Sequence, residues 1–191
     1  YEIATAERVL ADTKRAGIAT VGNFMFGFPG ETKADFQLTL DFLRRNRASF
    51  DRVYASATFT SLEENAWLCE HRAEAGVKDD GPEAHHLYWE SADGTNTYPV
   101  RLARYERFRA LAVELGLDAY KGINGSLELE RHAGLAAYHR YRGDHPEAVR
   151  ELFDCLDLDF RHPAFREALA VYARDLTLLR QDLQALSVEA K

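Results

Sequence analysis

Residues 1–120 of this chain are predicted to form an α/β unit and residues 121–191 an all-helical tail, on three observations. Two runs, at residues 18–28 and 53–60, alternate apolar with small or polar side chains at the period of two that a strand imposes. Between them Phe36, Leu40 and Leu43 recur at helical spacing, with Leu38 and Phe42 widening the stripe. From Ser126 onward the alternation disappears and only helical periodicity remains. Strand, helix and strand in succession make a βαβ unit, whose crossover is right-handed and whose strands run parallel.

The first element is a helix. Ile3, Ala6, Val9 and Leu10 mark one face, Lys14 and Arg15 suit the negative end of the helix dipole, and Ala16-Gly17 ends it. The first strand leads into Gly22-Asn23-Phe24-Met25-Phe26-Gly27-Phe28, with Phe24, Phe26 and Phe28 on one face and Asn23, Met25 and Gly27 on the other. Phe28 precedes proline and is held extended. Pro29 and Gly30 supply the fixed φ and the positive φ that the central positions of a type II turn require. Thr32, with Asp35 three residues on, is a capping box for the second helix. A strand, a turn and a helix in this order are how α/β proteins build a ligand site at the carboxyl end of a strand; a plain connection is the alternative. No Lys follows the glycine, so the turn is not a P-loop.

The second helix fades at Arg44-Arg45-Asn46-Arg47. The second strand, residues 53–60, places Val53, Ala55, Ala57 and Phe59 on an apolar face and Tyr54, Ser56, Thr58 and Thr60 on a face of hydroxyls. Parallel sheets are normally covered on both faces by more of the same fold, so further strands are expected upstream of Tyr1 and the chain reads as a piece of a longer protein. Residues 63–75 are predicted to form a short helix holding Trp67, stopped by Gly76. Residues 76–98 make a connection longer than the roughly 15 residues usual for a structureless loop, a length that goes with function or mobility. Pro99 opens a helix with Val100, Ala103, Phe108, Leu111 and Leu115 facing inward and Gly116 as its stop.

In the tail, Ser126 caps a helix through Tyr141, Asp144 with Glu147 forms a second capping box, and Pro163 opens a third helix. Gly143-Asp144, Ala148, Leu152-Phe153 and residues 156–159, with Leu169 and Ala170 beyond, resemble a tetratricopeptide hairpin plus the first helix of the next repeat; Phe160 replaces the usual proline. A stable array needs about three repeats, so the region reads as a helical appendage. The last helix carries Phe165, Leu169, Tyr172, Leu176, Leu179, Leu183 and Leu186 at heptad spacing. It is expected to lie against the hairpin, with self-association through this seam as the alternative.

Composition narrows the function classes. A formal charge of −7 over 191 residues argues against nucleic acid, which demands a basic patch that releases counterions. No apolar run approaches the roughly 20 residues of a membrane span, and no signal-peptide pattern precedes the first motif. Cys69 and Cys155 lie far apart within helical patterns, which favours two buried free thiols and a cytoplasmic location.

Ala16-Gly17-Ile18, then Asn23-Phe24-Met25-Phe26-Gly27-Phe28-Pro29-Gly30-Glu31-Thr32, then Thr39-Leu40-Asp41-Phe42 and Phe50-Asp51-Arg52-Val53 together resemble the C-terminal half of a radical S-adenosylmethionine core. The closest flavour is the subgroup with a cobalamin (B12)-binding domain, whose members often carry a G-F-P-G-E-T turn after the fifth strand. The resemblance covers residues 1–120 and implies the C-terminal portion of a partial (β/α)6 TIM-like barrel. The family's fifth-strand motif, G-x-I-x-G-x-x-E, puts Asn23 in place of the first Gly, Met25 in place of the Ile that packs on adenine, and Gly27 in place of the second Gly. Glu31 arrives one residue late, after the Pro29-Gly30 turn. The next strand would be the sixth, meeting adenine through backbone groups near residues 57–59, with Ser56 and Thr58 beside them.

The resemblance thus implies a cofactor-binding set of Asn23, Met25, Gly27, Pro29, Gly30, Glu31, Ser56 and Thr58. It implies S-adenosylmethionine, a [4Fe–4S] cluster and cobalamin, with a small-molecule substrate, in a longer parent. The family's C-x-x-x-C-x-x-C motif is absent, and Cys69 and Cys155 cannot replace three thiolates on one loop. This chain alone is therefore expected to bind none of these groups tightly and to have no turnover.

Trp89, Asn96 and Arg101 fall in a phrase that resembles the same subgroup after its barrel, either meeting substrate or plugging the barrel floor. His71, His85, His86 and Asp79-Asp80 read as solvated loop residues, and no metal site is expected among them. Asn124-Gly125-Ser126 fits a glycosylation acceptor, but capping explains Ser126. No Ser-His-Asp arrangement or paired carboxylates stand in a motif context. Two functions remain: an enzyme part supplying the adenine-side wall, or a tetratricopeptide-like interaction module on an α/β scaffold.

Overall fold

The computed structural model describes residues 2–56, 59–78, 86–117 and 127–159, the last five of these by backbone alone. The chain divides into two compact units, Tyr1–Tyr120 and Lys121–Lys191. The first is α/β: α1 (Ile3–Arg15), β1 (Val21–Phe24), α2 (Lys33–Arg45), a 3-10 turn (Arg47–Ser49), β2 (Arg52–Ala55), α3 (Trp67–Glu70) and α4 (Tyr98–Glu114). The second holds α5 (Leu127–Tyr141) and α6 (His145–Asp159). No helix among the described residues is long and apolar enough to cross a membrane.

β1 and β2 are parallel, with Val21 opposite Arg52 and Phe24 opposite Ala55. Beyond the strands, Ser56 N–H donates to Phe24 O at 2.9 Å and Thr60 N–H to Phe26 O at 3.1 Å. One face of this pair is the core. Phe24 meets Phe50 and Phe108 at centroid distances of 5.9 and 4.6 Å, and Phe26 meets Phe36 and Phe108 at 5.5 and 5.1 Å. α2 contributes Phe36, Leu40 and Leu43 to that core, and Val53 of β2 is fully buried. Burying each such side chain is worth about 2–3 kcal/mol, so this aromatic layer is what holds the crossover together. The opposite face is open: Val21, Met25 and Tyr54 remain 52%, 62% and 42% exposed.

Several sequence expectations need correction. The α1 face buries nothing, and Ile3 and Val9 are more than half exposed. Polar ties hold that helix instead, Lys14 to Asp51 at 2.5 Å and Arg45 and Asn46 to Glu7 at 3.2 and 3.0 Å. Leu38 is exposed, because only the Phe36, Leu40 and Leu43 edge of α2 reaches the sheet. Phe28 is 56% exposed and does not join Phe24 and Phe26, since Gly27 at φ +78° ends the strand alternation. β2 stops at Ala55, and Phe59 N–H donates to Ser56 O at 3.2 Å.

The helix expected over 63–75 is one turn, because Asn65 at positive φ and an extended Ala66 delay its start. The connection 76–98 is ordered where it is described: Val77 bridges Ser91 antiparallel, and Val77, Trp89, Glu90, Ser91 and Asn96 are buried. On α4 the inward residues are Leu102, Tyr105, Phe108, Arg109, Leu111 and Ala112, whereas Ala103 is exposed and Val100 and Leu115 half-buried. Cys69 is a free, half-buried thiol rather than a buried one. The Cys155 side chain, Ala57, Thr58, Asp79, Asp80, His85, residues 124–126 and the terminal helix with its heptad seam lie outside the described residues.

In the second unit α5 and α6 pack on one another, burying Leu129, Leu135, Ala136, Tyr138, Ala148, Val149 and Leu152. The corner is made by Gly143 at φ +75°, with its N–H donating to Arg140 O at 3.0 Å and that of Asp144 to His139 O at 2.9 Å. Those two bonds satisfy carbonyls that the end of α5 would otherwise leave unpaired.

Candidate functional site

The turn between β1 and α2 is built as the sequence specifies. Glu31 N–H closes it on Phe28 O at 2.8 Å, and Gly30 holds φ +84°. The capping box follows: Asp35 N–H donates to Thr32 Oγ1 at 3.1 Å, and Thr32 N–H to Asp35 Oδ2 at 2.9 Å. The Thr32 hydroxyl, then its backbone N–H, hold the Asp35 carboxyl below its ordinary range. Glu31 folds back over the turn, where Oε2 accepts from Gly27 N–H at 2.7 Å and from Arg104 Nη1 at 2.5 Å. Arg104 Nη2 also donates to Glu31 O at 3.1 Å. The two side chains are only 13% and 10% exposed, so removing either strands the other in a poorly solvated place.

A buried collar grips the same turn from the connection and α4. Asn96, 1% exposed, donates through Nδ2 to Gly27 O and Phe28 O, both at 3.1 Å. Arg101 is fully buried, with Nη2 donating to Leu87 O at 2.8 Å and Trp89 O at 2.9 Å, and Nη1 to Asn96 Oδ1 at 3.2 Å. Its guanidinium lies 4.1 Å over the Trp89 ring. Trp89 Nε1 in turn donates to Thr60 O at 2.7 Å. The Arg101 stem passes so close beneath Gly27 that a Cβ there would lie 2.1 Å from Cδ. Trp89, Asn96 and Arg101 therefore serve the turn from inside the unit, and none of them faces an open surface.

The cofactor-binding set read from the sequence is divided by this arrangement. Asn23 and Met25 are exposed together on the open sheet face, and strand alternation puts half-buried Ser56 on that face beside Tyr54. Gly27 and Pro29 are buried, the former beneath Arg101, so Gly27 does not join Asn23 and Met25. Gly30 and Glu31 turn away to a cleft of about 660 Å³ on the helix side of the sheet, lined also by Phe36, Asp93, Val100 and Arg104. Thr58 lies outside the described residues.

Two of these cleft residues had no sequence signal of their own. Arg104 could have been suspected from its position three after Arg101, which places both on adjoining parts of one helix face. Asp93 sits in a tight polar turn, accepting from Ser91 Oγ at 2.6 Å, Thr95 N–H at 3.0 Å and Thr95 Oγ1 at 2.8 Å. The Ser91 hydroxyl first, then the Thr95 backbone and hydroxyl, bring its carboxyl down to about 2.

The donor set does not fit an iron–sulfur cluster: Cys69 stands without a second thiol on its loop, and its sulfur accepts from Arg72 Nη2 at 3.1 Å. On the open face Met25 is 62% exposed, an apolar, polarizable side chain without cover. No protein-family model, no curated protein and no solved structure matches this chain.

Proposed function

We propose that this chain supplies the adenine-side wall of a radical S-adenosylmethionine enzyme of the cobalamin-binding subgroup. The observation that carries the reading is the open face of the parallel pair. Asn23, Met25 and Ser56 stand there near the carboxyl ends of two parallel strands, where α/β folds bind ligands. Met25 would lie against the adenine, and Asn23 and Ser56 would offer polar groups at its edge. Glu31 has another task in this reading: bonded to Gly27 and Arg104, it positions the turn and makes no contact with cofactor. S-adenosylmethionine supplies the radical chemistry when a cluster reduces it, and nothing in this chain holds that cluster. The finer architecture, a partial (β/α)6 barrel, belongs to the same proposal, as do the cobalamin, the small-molecule substrate and a cytoplasmic location.

A second reading is favoured by one observation. Residues of the tail form a compact unit of their own, a helical hairpin of the kind that tetratricopeptide modules use to bind partners.

The two separate on the product of the intact reading frame. Anaerobic iron–sulfur reconstitution of that polypeptide is expected to give a thiolate-to-iron band near 400 nm, an approximate position for such clusters. Absence of the band, together with absence of a C-x-x-x-C-x-x-C run in the frame, would leave the interaction module as the surviving reading.

A further inference from the structure

Three donors converge between the two helices of the tail. His132 of α5 points Nδ1 at Glu151 Oε2, 2.6 Å away, and at Asp154 Oδ2, 3.7 Å away, both on α6. All three donor atoms lie within 4.8 Å of one another. His132 and Glu151 are 16% and 13% exposed while Asp154 is 56% exposed, so the group is walled on one side and open to solvent on the other. The helices that carry it are packed through Leu129, Leu135, Ala148 and Leu152, which fixes the donors' backbone positions.

Charge makes this more than a single ion pair. Glu151 and Asp154 are three apart on one helix, a spacing at which like charges repel. The ion pairs of both carboxylates among the described residues go to the same imidazole nitrogen. One Nδ1–H can be given to only one of them at a time. Two carboxylates and a neutral imidazole carry a charge of −2 at a half-buried point, and a divalent cation neutralises it. The donor set, one nitrogen and two oxygens with a solvent-facing side, is that of borderline divalent ions such as Zn²⁺ or Co²⁺ with water completing the shell.

We propose that His132, Glu151 and Asp154 form a binding site for a divalent transition-metal ion that clips α5 to α6. Nδ1 takes the ion as the tautomer whose single proton sits on Nε2, so the one proton of a neutral imidazole that donates through Nδ1 passes through solvent to Nε2 on binding. With bonds of about 2.0–2.2 Å, tetrahedral donors stand about 3.4 Å apart, so Glu151 opens from its 2.6 Å approach to Nδ1 and Asp154 closes from 3.7 Å. No cysteine takes part, so the site is distinct from any iron–sulfur chemistry and stands whether or not the adenine-wall reading holds.

The test is titration of the whole chain with Co²⁺ alone, followed by its visible d–d absorption and by thermal unfolding. The expected result is one equivalent bound, a rise in the unfolding temperature of the helical tail, and displacement by Zn²⁺. Asp154→Asn is the primary variant, because that side chain is exposed and its loss leaves the hairpin packing untouched; it should weaken Co²⁺ binding by roughly tenfold or more. His132→Ala should abolish it, and His71→Ala in the other unit should leave it unchanged. No saturable binding, or binding that survives both Asp154→Asn and His132→Ala, overturns the proposal.

Discussion

Gly27 and Gly30 sit three positions apart at one turn, and the same substitution separates their roles. Both hold positive φ, +78° and +84°. A Cβ on Gly27 would strike the Arg101 stem at 2.1 and 2.4 Å, whereas a Cβ on Gly30 meets nothing within 4 Å. Gly30→Ala therefore costs the backbone term alone, about 1–2 kcal/mol. Gly27→Ala adds the displacement of a buried arginine and should exceed about 3 kcal/mol, the range of strained, overpacked core sites. Urea denaturation of both variants checks the difference. Asp93 gives a pH signature. Its carboxyl is held near 2 in the folded chain, below the ordinary value of 3.8, so the stability it contributes is complete above pH 4 and is lost as pH falls towards 2. Asp93→Asn should flatten the stability curve across that window, and acid titration followed by circular dichroism measures it. Pro29, Gly30, Thr32 and Asp35 were legible in sequence because their roles are local: a turn and a cap depend on neighbours in the chain. The burial of Gly27 was not, because the arginine above it comes from 74 positions away, a distance that periodicity does not sense.

At the scale of elements, α4 is the part that sequence pattern places least well. Its apolar residues suggested an ordinary inward stripe, yet the helix buries Arg101 and Arg109 alongside Leu102, Tyr105 and Phe108. Arg101 belongs there because the ordered connection presents it with the carbonyls of Leu87 and of buried Trp89. A planar fork satisfies them together, and an ammonium on a flexible stem does not. Arg101→Lys should thus behave almost as badly as Arg101→Met, each losing about 3 kcal/mol or more, the scale of a broken buried polar network. Amide hydrogen exchange should then rise through residues 87–97 while the β1–β2 pair, held by the phenylalanine layer, keeps its protection. Wild-type exchange in both variants contradicts this role. The length of the 76–98 connection pointed to function or mobility; where it is described it is instead ordered around buried Trp89 and Asn96, which the sequence had singled out without placing them inside the unit.

The whole molecule joins two self-contained units, and the α/β one is covered on a single face. α2 and α4 shield Phe24, Phe26 and Val53, while Val21, Met25 and Tyr54 look out from a parallel pair, an arrangement that such sheets ordinarily bury. The sequence alternation over residues 23–26 had already separated these faces, and the βαβ order had set the strand direction. What covers the open face was beyond both, since a period of two names the faces of a strand and not their neighbours. In the proposed function Met25 stands at the center of that face and is the contact for adenine. Met25 is also the chain's one methionine, so a ¹³C-methyl label gives a single resonance at that point. Titration of the labelled chain with S-adenosylmethionine is predicted to shift this methyl saturably, with weak affinity in the millimolar range expected of one wall alone. Adenosine should reproduce the shift and free methionine should not. A methyl signal unmoved at about 10 mM ligand, or moved equally by methionine, contradicts the assignment of this face.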